Sequence, residues 1–381
     1  AENAAWETVK EPLAAALNGI KGTVNVLNQR RGREDALHSA IDNAHMDRAS
    51  LEAMLEAMRD SFPMFRRYFK AKAKHLGKEK LAWYDLFAPL GQTASEYTWP
   101  ETRAFILEQF GSFAPEMQEL ARRAFDENWI DAEQRSGKRG GAFCMGVPLV
   151  KESRILTNFD GTPDQVSTVA HELGHAFHNE CAFRFGKTAL QQDTPMTLAE
   201  TASIMCETIA SQALLKRAAN PQEELAVLEL SLNGASQVIV DIYSRFLFEK
   251  EVFERREKAE LSVDELCEIM ENAQKATYGD GLDEGCLQKW MWTWKPHYYA
   301  AELSFYNFPY AFGLLFATGL YAIYAQRGAA FVPDYMNLLA STGEAPAAEL
   351  AARFGIDIRT KKFWEDSIKT FEAQIERYEA I

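Results

Sequence analysis

Cysteine is scarce and unpatterned in this chain of 381 residues: Cys144, Cys181, Cys206, Cys267 and Cys286, with no CxxC among them. An odd count without such spacing argues against a disulfide framework and points to reduced thiols in a cytoplasmic protein. Positive charge is also short. Against 55 Asp and Glu there are 41 Lys and Arg, leaving a net charge of −14. That balance disfavours nucleic acid as a partner, because phosphate binding needs clustered cations. No apolar run reaches the length of a membrane span. The nearest, 308–324, is interrupted by Pro309, Gly313 and Gly319, so no membrane partner is expected. Internal repeats, low-complexity tracts and the phosphate-loop pattern GxxxxGK[ST] are likewise missing; no signal peptide opens the sequence as given, but the lack of an initial Met warns that its start is missing.

What is present is apolar and aromatic, 47% and 12% of residues, which excludes disorder and suits a compact protein with a large core. The periodicity is helical nearly throughout. Trp6, Val9, Leu13, Leu17 and Ile20 mark one amphipathic helix, and Leu51, Met54, Leu55 and Met58 mark another starting near Asp47. Helical stretches follow over 100–128, 197–218 and 221–278, and in the tail from 312. Strand character is confined to a small β-element within 136–160, where the turn-forming 135–141 precedes the apolar runs 142–147 and 155–159. No linker divides the chain, so residues 1–381 read as a single mainly α domain.

Only seven histidines occur, and two form the pattern His171-Glu172-Leu173-Gly174-His175. Residues four apart on a helix share a face one turn apart, so both imidazoles can bind one ion while Glu172 takes a proton from water beside it. The segment has helix signals: Thr162 as cap, Pro163 at the first position, Gln165 completing a capping box, then Val166, Val169, Ala170, Leu173 and Phe177 at helical spacing. Catalytic zinc takes a third protein ligand and leaves one position open. A histidine six residues past His175 would suit one known pattern, but that position is Cys181. The next helix offers two carboxylates, Glu200 and Glu207, seven apart on one face. Glu200 has a competing explanation, since Thr197-Leu198-Ala199-Glu200 is itself a capping box. With Glu200 as ligand, Glu207 would accept a hydrogen bond from a ligating histidine.

Two further stretches bear on substrate. Gly140 and Gly141 either form a plain hairpin tip or permit close backbone approach, so that a peptide pairs along the strand edge near Ala142 and Phe143. His297, Tyr298, Tyr299, Tyr306 and Tyr310 lie in an aromatic-rich segment that either packs as core or donates hydrogen bonds to an oxyanion.

Gly141-Ala142-Phe143-Cys144, Asn158-Phe159, His171–His178, Leu198–Ser203 and Pro296-His297-Tyr298-Tyr299 leading to Phe305-Tyr306 together resemble the thimet oligopeptidase and oligoendopeptidase F family of zinc peptidases, the oligoendopeptidase F branch more closely. The resemblance implies a large helical zincin-like catalytic domain with a small β-element beside the active-site helix. It implies one zinc ion held by His171, His175 and Glu200, with Glu172 as general base. His297, Tyr306 and Tyr310 would stand on the substrate and oxyanion side. Family members are usually much longer, with an additional N-terminal helical lobe, so the chain is expected to be a fragment or a short form. The function expected is zinc-dependent hydrolysis of short unfolded oligopeptides. The alternatives are a metallocarboxypeptidase trimming peptide ends and a non-catalytic helical zinc-binding scaffold.

Overall fold

The computed structural model describes residues 1–91 and 96–381. It is mainly α, with three short strands. The chain divides into two compact units, one of Ala1–Ala88 with Asn233–Ala311 and one of Pro89–Leu232 with Phe312–Ile381.

Of the first unit's helices Glu2–Arg30, Arg48–His75, Ile242–Arg256 and Val263–Tyr278, the first, third and fourth surround a core that includes Leu17, Phe248, Val252, Leu266, Ile269, Met270, Trp292 and Tyr298, and the second packs on the fourth. Asp47 caps the second of these by accepting from the Ser50 amide, as its position before the apolar stripe predicts. Asn18 satisfies both backbone groups of Leu261 through its side-chain amide, at 2.8 Å each way. The helical stretch expected over 221–278 is instead Pro221–Ser236, a π-helical turn Gln237–Asp241, Ile242–Arg256 and, after a non-helical break at 257–262, Val263–Tyr278.

The second unit is built around the helix Pro163–Arg184. Val166, Val169, Ala170, Leu173, Ala176 and Phe177 are at most 1% exposed, so the helix is covered along most of its length. Thr162 caps it through the Gln165 amide. The reciprocal half of the expected capping box is missing, and Gln165 Oε1 is buried without a partner. Three strands lie beside this helix: β1 (Ile130–Asp131), β2 (Phe143–Val147) and β3 (Glu152–Leu156), in the order β1-β3-β2. β2 runs antiparallel to β3 with Cys144 opposite Ile155, and β1 runs parallel to β3 with Ile130 opposite Ile155. The hairpin expected from the sequence is there. Its second strand begins three residues earlier than the apolar run at 155, because the turn through Lys151 (φ 54°) closes the hairpin and brings Glu152 opposite Val147.

Two sequence expectations need correction. The 301–340 region holds an 18-residue window of mean hydropathy 1.4, and so does 221–256. Both therefore pass a length-and-composition test for a membrane span. Their windows are 61% and 56% buried by the protein itself, as core helices are. The expected helix over 197–218 is instead two, Met196–Ala199 and Thr201–Arg217, broken at Glu200.

Candidate active site

The break at Glu200 removes the capping explanation for that residue. The short helix starts after Pro195 with no side-chain cap, so Glu200 is not at the third position of a capping box. Its carboxylate turns to the motif helix instead. Glu200 Oε2 lies 3.3 Å from His171 Nε2 and 3.4 Å from His175 Nε2. Among the described residues, one ligand atom from each of these three side chains falls within 4.8 Å of the others. The Ser203 hydroxyl donates to the same Glu200 oxygen at 2.7 Å, and His171 Nδ1 donates to Glu207 Oε2 at 3.1 Å.

Two close backbone approaches hold this geometry. A Cβ placed on Gly174 would stand 2.5 Å from the Ala202 carbonyl oxygen and 2.6 Å from Ser203 Cα. The middle of the motif is thus pressed directly against the start of the Glu200 helix. A Cβ on Gly313 would stand 2.9 Å from Glu200 Cβ. Ser203, Gly174 and Gly313 have no chemical signature of their own in the sequence. Only the three-residue spacing of Ser203 from Glu200 hints at its role.

The electrostatics follow from the crowding. Burial works against charge on His171, but its hydrogen bonds to Glu200 and Glu207 overcome this and raise its pKa to about 10. Burial, with the neighbouring His171 charge, lowers His175 to about 4. Burial would raise Glu200, yet the His171 hydrogen bond and the two imidazoles hold it down at about 2. Glu172 is 5% exposed. Burial, aided by the Glu200 charge, lifts it to about 7, the range suited to a base working near neutrality. Its Oε2 is buried with no hydrogen-bond partner.

A cavity of about 380 Å³ opens onto these groups, lined by Ala142, Phe143, Cys144, His171, Glu172, His175 and Glu200 among others. Ala142 and Phe143 thus line the same cavity as the motif. Gly140 and Gly141 do not line it. Gly141 (φ 81°) forms the turn instead, and Asn158 Nδ2 donates to the carbonyls of Arg139 and Gly141 at 3.0 and 2.9 Å. In the first unit, His297 is buried, with Nε2 unpartnered. The Tyr306 and Tyr310 hydroxyls are 3.1 Å apart, and the His297 ring stacks on that of Tyr306 at 5.8 Å. Tyr298 is placed otherwise than its expected substrate role requires. It is fully buried, its hydroxyl bonds the Arg245 carbonyl at 3.3 Å, and its ring belongs to the core. Tyr299 donates to the Trp292 carbonyl at 3.0 Å.

The Glu207 contact fixes the ring orientation and tautomer of His171. Glu207→Ala is expected to weaken metal affinity about 10- to 100-fold, measured by competition with a chromophoric chelator. Unchanged affinity would count against the orienting role.

His178, one turn past His175, is buried with Nε2 2.9 Å from Thr342 Oγ1. Burial, then the His175 charge, pushes its pKa from 6.5 to about 4. A histidine held below its unfolded value binds fewer protons folded than unfolded. Its contribution is therefore intact above pH 6.5 and lost as pH falls toward 4. In metal-free protein, His178→Gln is expected to flatten that acid loss by about 1.4 kcal/mol per pH unit. The opposing titration of Glu172 is common to both proteins and cancels. Urea midpoints across this window check it, and parallel slopes would overturn it.

A family model described as peptidase family M3 matches residues 2–370. Oligoendopeptidase F (chromosomal) of Lactococcus lactis subsp. cremoris is 26% identical over 377 residues, covering 99% of this chain and 62% of the relative. In fold the chain is similar to a crystal structure from Chlamydophila abortus, with TM-score 0.83, 22% identity, and coverage of 97% of this chain and 62% of that one. It is also similar to oligoendopeptidase-F from Enterococcus faecium, with TM-score 0.75, 21% identity, and coverage of 99% and 61%. The chain spans about 62% of the length of the first of these relatives. With nearly every residue inside the family match, the chain belongs to peptidase family M3.

Proposed function

We propose that this chain carries the catalytic centre of a zinc-dependent oligoendopeptidase that hydrolyses short unfolded peptides. The observation that carries the reading is the convergence of His171 Nε2 and His175 Nε2 on one Glu200 oxygen, next to a buried Glu172 oxygen without a partner. Two imidazoles and a carboxylate from adjoining helices are a donor set that zinc accepts while keeping a position open. The residues present thus fit one ion per chain, held by His171, His175 and Glu200. When bound, such an ion polarises the scissile carbonyl and lowers the pKa of water toward about 7. Glu172 accepts the proton of the attacking water and passes it to the leaving amine. His171 is kept in register by Glu207, and Glu200 by Ser203. The edge of β2 left free by the strand order offers backbone groups to an extended peptide beside Phe143. Five free thiols suit a reducing, cytoplasmic location.

The test is cleavage of an internally quenched peptide blocked at both ends, alongside intact casein, with and without chelator. Cleavage of the blocked peptide that stops with chelator and returns with zinc is expected, with casein left whole. Cleavage only of peptides with a free end would replace endopeptidase by carboxypeptidase. No cleavage by metal-loaded protein would remove the enzymatic reading.

A further inference from the structure

The cavity at the motif does not end at His171, His175 and Glu200. It continues along the helix to Asn179, between Gly146 of β2 and the loop residues Gln192 and Thr194, all of them in the second unit. Asn179 is four residues past His175 and seven past Glu172, so it shares their face. At Gly146 no side chain fills the space: a Cβ there would stand 3.1 Å from Asn179 Nδ2.

The hydrogen bonds of this wall are one-sided. Asn179 Nδ2 donates to Ser153 Oγ at 3.1 Å, and Gln192 Nε2 donates to the Lys187 carbonyl at 2.7 Å. The Thr194 hydroxyl is 2.9 Å from that of Thr342, whose own proton goes to the Leu339 carbonyl at 3.1 Å, so Thr194 donates. Among the described residues, Asn179 Oδ1 and Gln192 Oε1 accept no hydrogen bond, and neither is sealed from solvent. No Lys or Arg among the described residues lines the cavity, whereas the carboxylates Glu172 and Glu200 do. The loop is also held in place. A Cβ on Gly343 would stand 2.4 Å from the Gln191 carbonyl oxygen and 2.8 Å from that of Asp193, and Lys187 pairs with Glu344.

We infer that Asn179 and Gln192 are specificity-determining residues, lining a pocket for a substrate side chain that donates hydrogen bonds, the amide of Gln or the ammonium of Lys. A carboxylate of the same shape as the amide brings only acceptors to two carbonyl oxygens, with no cation beside them to offset its charge. An unbranched apolar side chain of that length strips both oxygens of water and pairs neither. The inference rests on the proposed peptidase activity.

The test uses blocked, internally quenched peptides that differ only in carrying Gln, Lys, Met or Glu at one position, taken in turn through the positions flanking the cleaved bond. Values of kcat/KM are measured for the zinc-loaded wild type, Gln192→Met and Asn179→Leu. At one position the wild type is expected to prefer Gln and Lys over Met by about tenfold and over Glu by about 100-fold. Each variant should bring the Gln and Met peptides within about threefold of each other, with the Met peptide cleaved within about twofold of its wild-type rate. Damage to the metal centre would instead lower all the peptides together. If the wild type cleaves none of them, the peptidase reading fails and the pocket with it. If it cleaves them with equal kcat/KM at every position, or prefers Met or Glu, the pocket alone is overturned. A wild-type preference that persists in both variants, or variants that slow every peptide equally, would show that Asn179 and Gln192 do not set it, which also overturns the inference.

Discussion

Glu172→Gln is expected to lower kcat on a blocked peptide by about 10²- to 10⁴-fold while the protein keeps its metal. The substitution conserves shape and leaves the two imidazoles and Glu200 in place, so it separates proton transfer from metal binding. Its local cost should be small. Glu172 has one buried oxygen with no partner, and burial already raises its pKa to about 7, so a neutral side chain suits the site. A variant with full metal content and stability but collapsed kcat is the expected outcome, read from steady-state kinetics and metal analysis on one preparation. Wild-type turnover in Glu172→Gln would mean that another group accepts the proton.

Gly174→Ala carries the largest expected structural effect. Alanine is the better helix former at an exposed position by about 1 kcal/mol, so propensity alone predicts stabilisation. The added Cβ would instead meet backbone atoms of Ala202 and Ser203 at 2.5 and 2.6 Å. Backbone cannot rotate away as a flexible side chain can, so the two helices must separate. Overpacking of this kind costs about 1–3 kcal/mol. Here it also acts on function, because Glu200 stands just before the displaced segment and must lie within reach of both imidazoles. Gly174→Ala is therefore expected to lower the thermal midpoint and to weaken metal binding at least about tenfold. Calorimetry with and without zinc checks both. A raised midpoint with unchanged affinity would contradict the close approach.

The motif itself was legible because its geometry is local. Four-residue spacing on a capped helix dictates a shared face, and His171 and His175 share it, with ring centroids 5.0 Å apart. Glu200 was not decidable the same way. Its neighbours spell a capping box, whereas its orientation comes from the contact of Gly174 with Ala202, which joins segments about 28 residues apart and leaves no periodic trace. β1 escaped notice because two residues carry no alternation, and their pairing is set by β3, far along the chain. The aromatic segment divided in a way its composition could not announce. Tyr298 fills the core, while Tyr306 and Tyr310 place their hydroxyls side by side. The buried Lys21–Glu249 pair left no trace in the sequence, since its burial depends on packing between distant segments.

The most direct measurement is zinc content per chain for wild type and Glu200→Ala, purified together, stripped and reloaded under the same free zinc concentration. About one ion per chain in the wild type and less than about a tenth in the variant is the predicted result. Equal zinc in the two would mean that Glu200 does not complete the centre and would contradict the account.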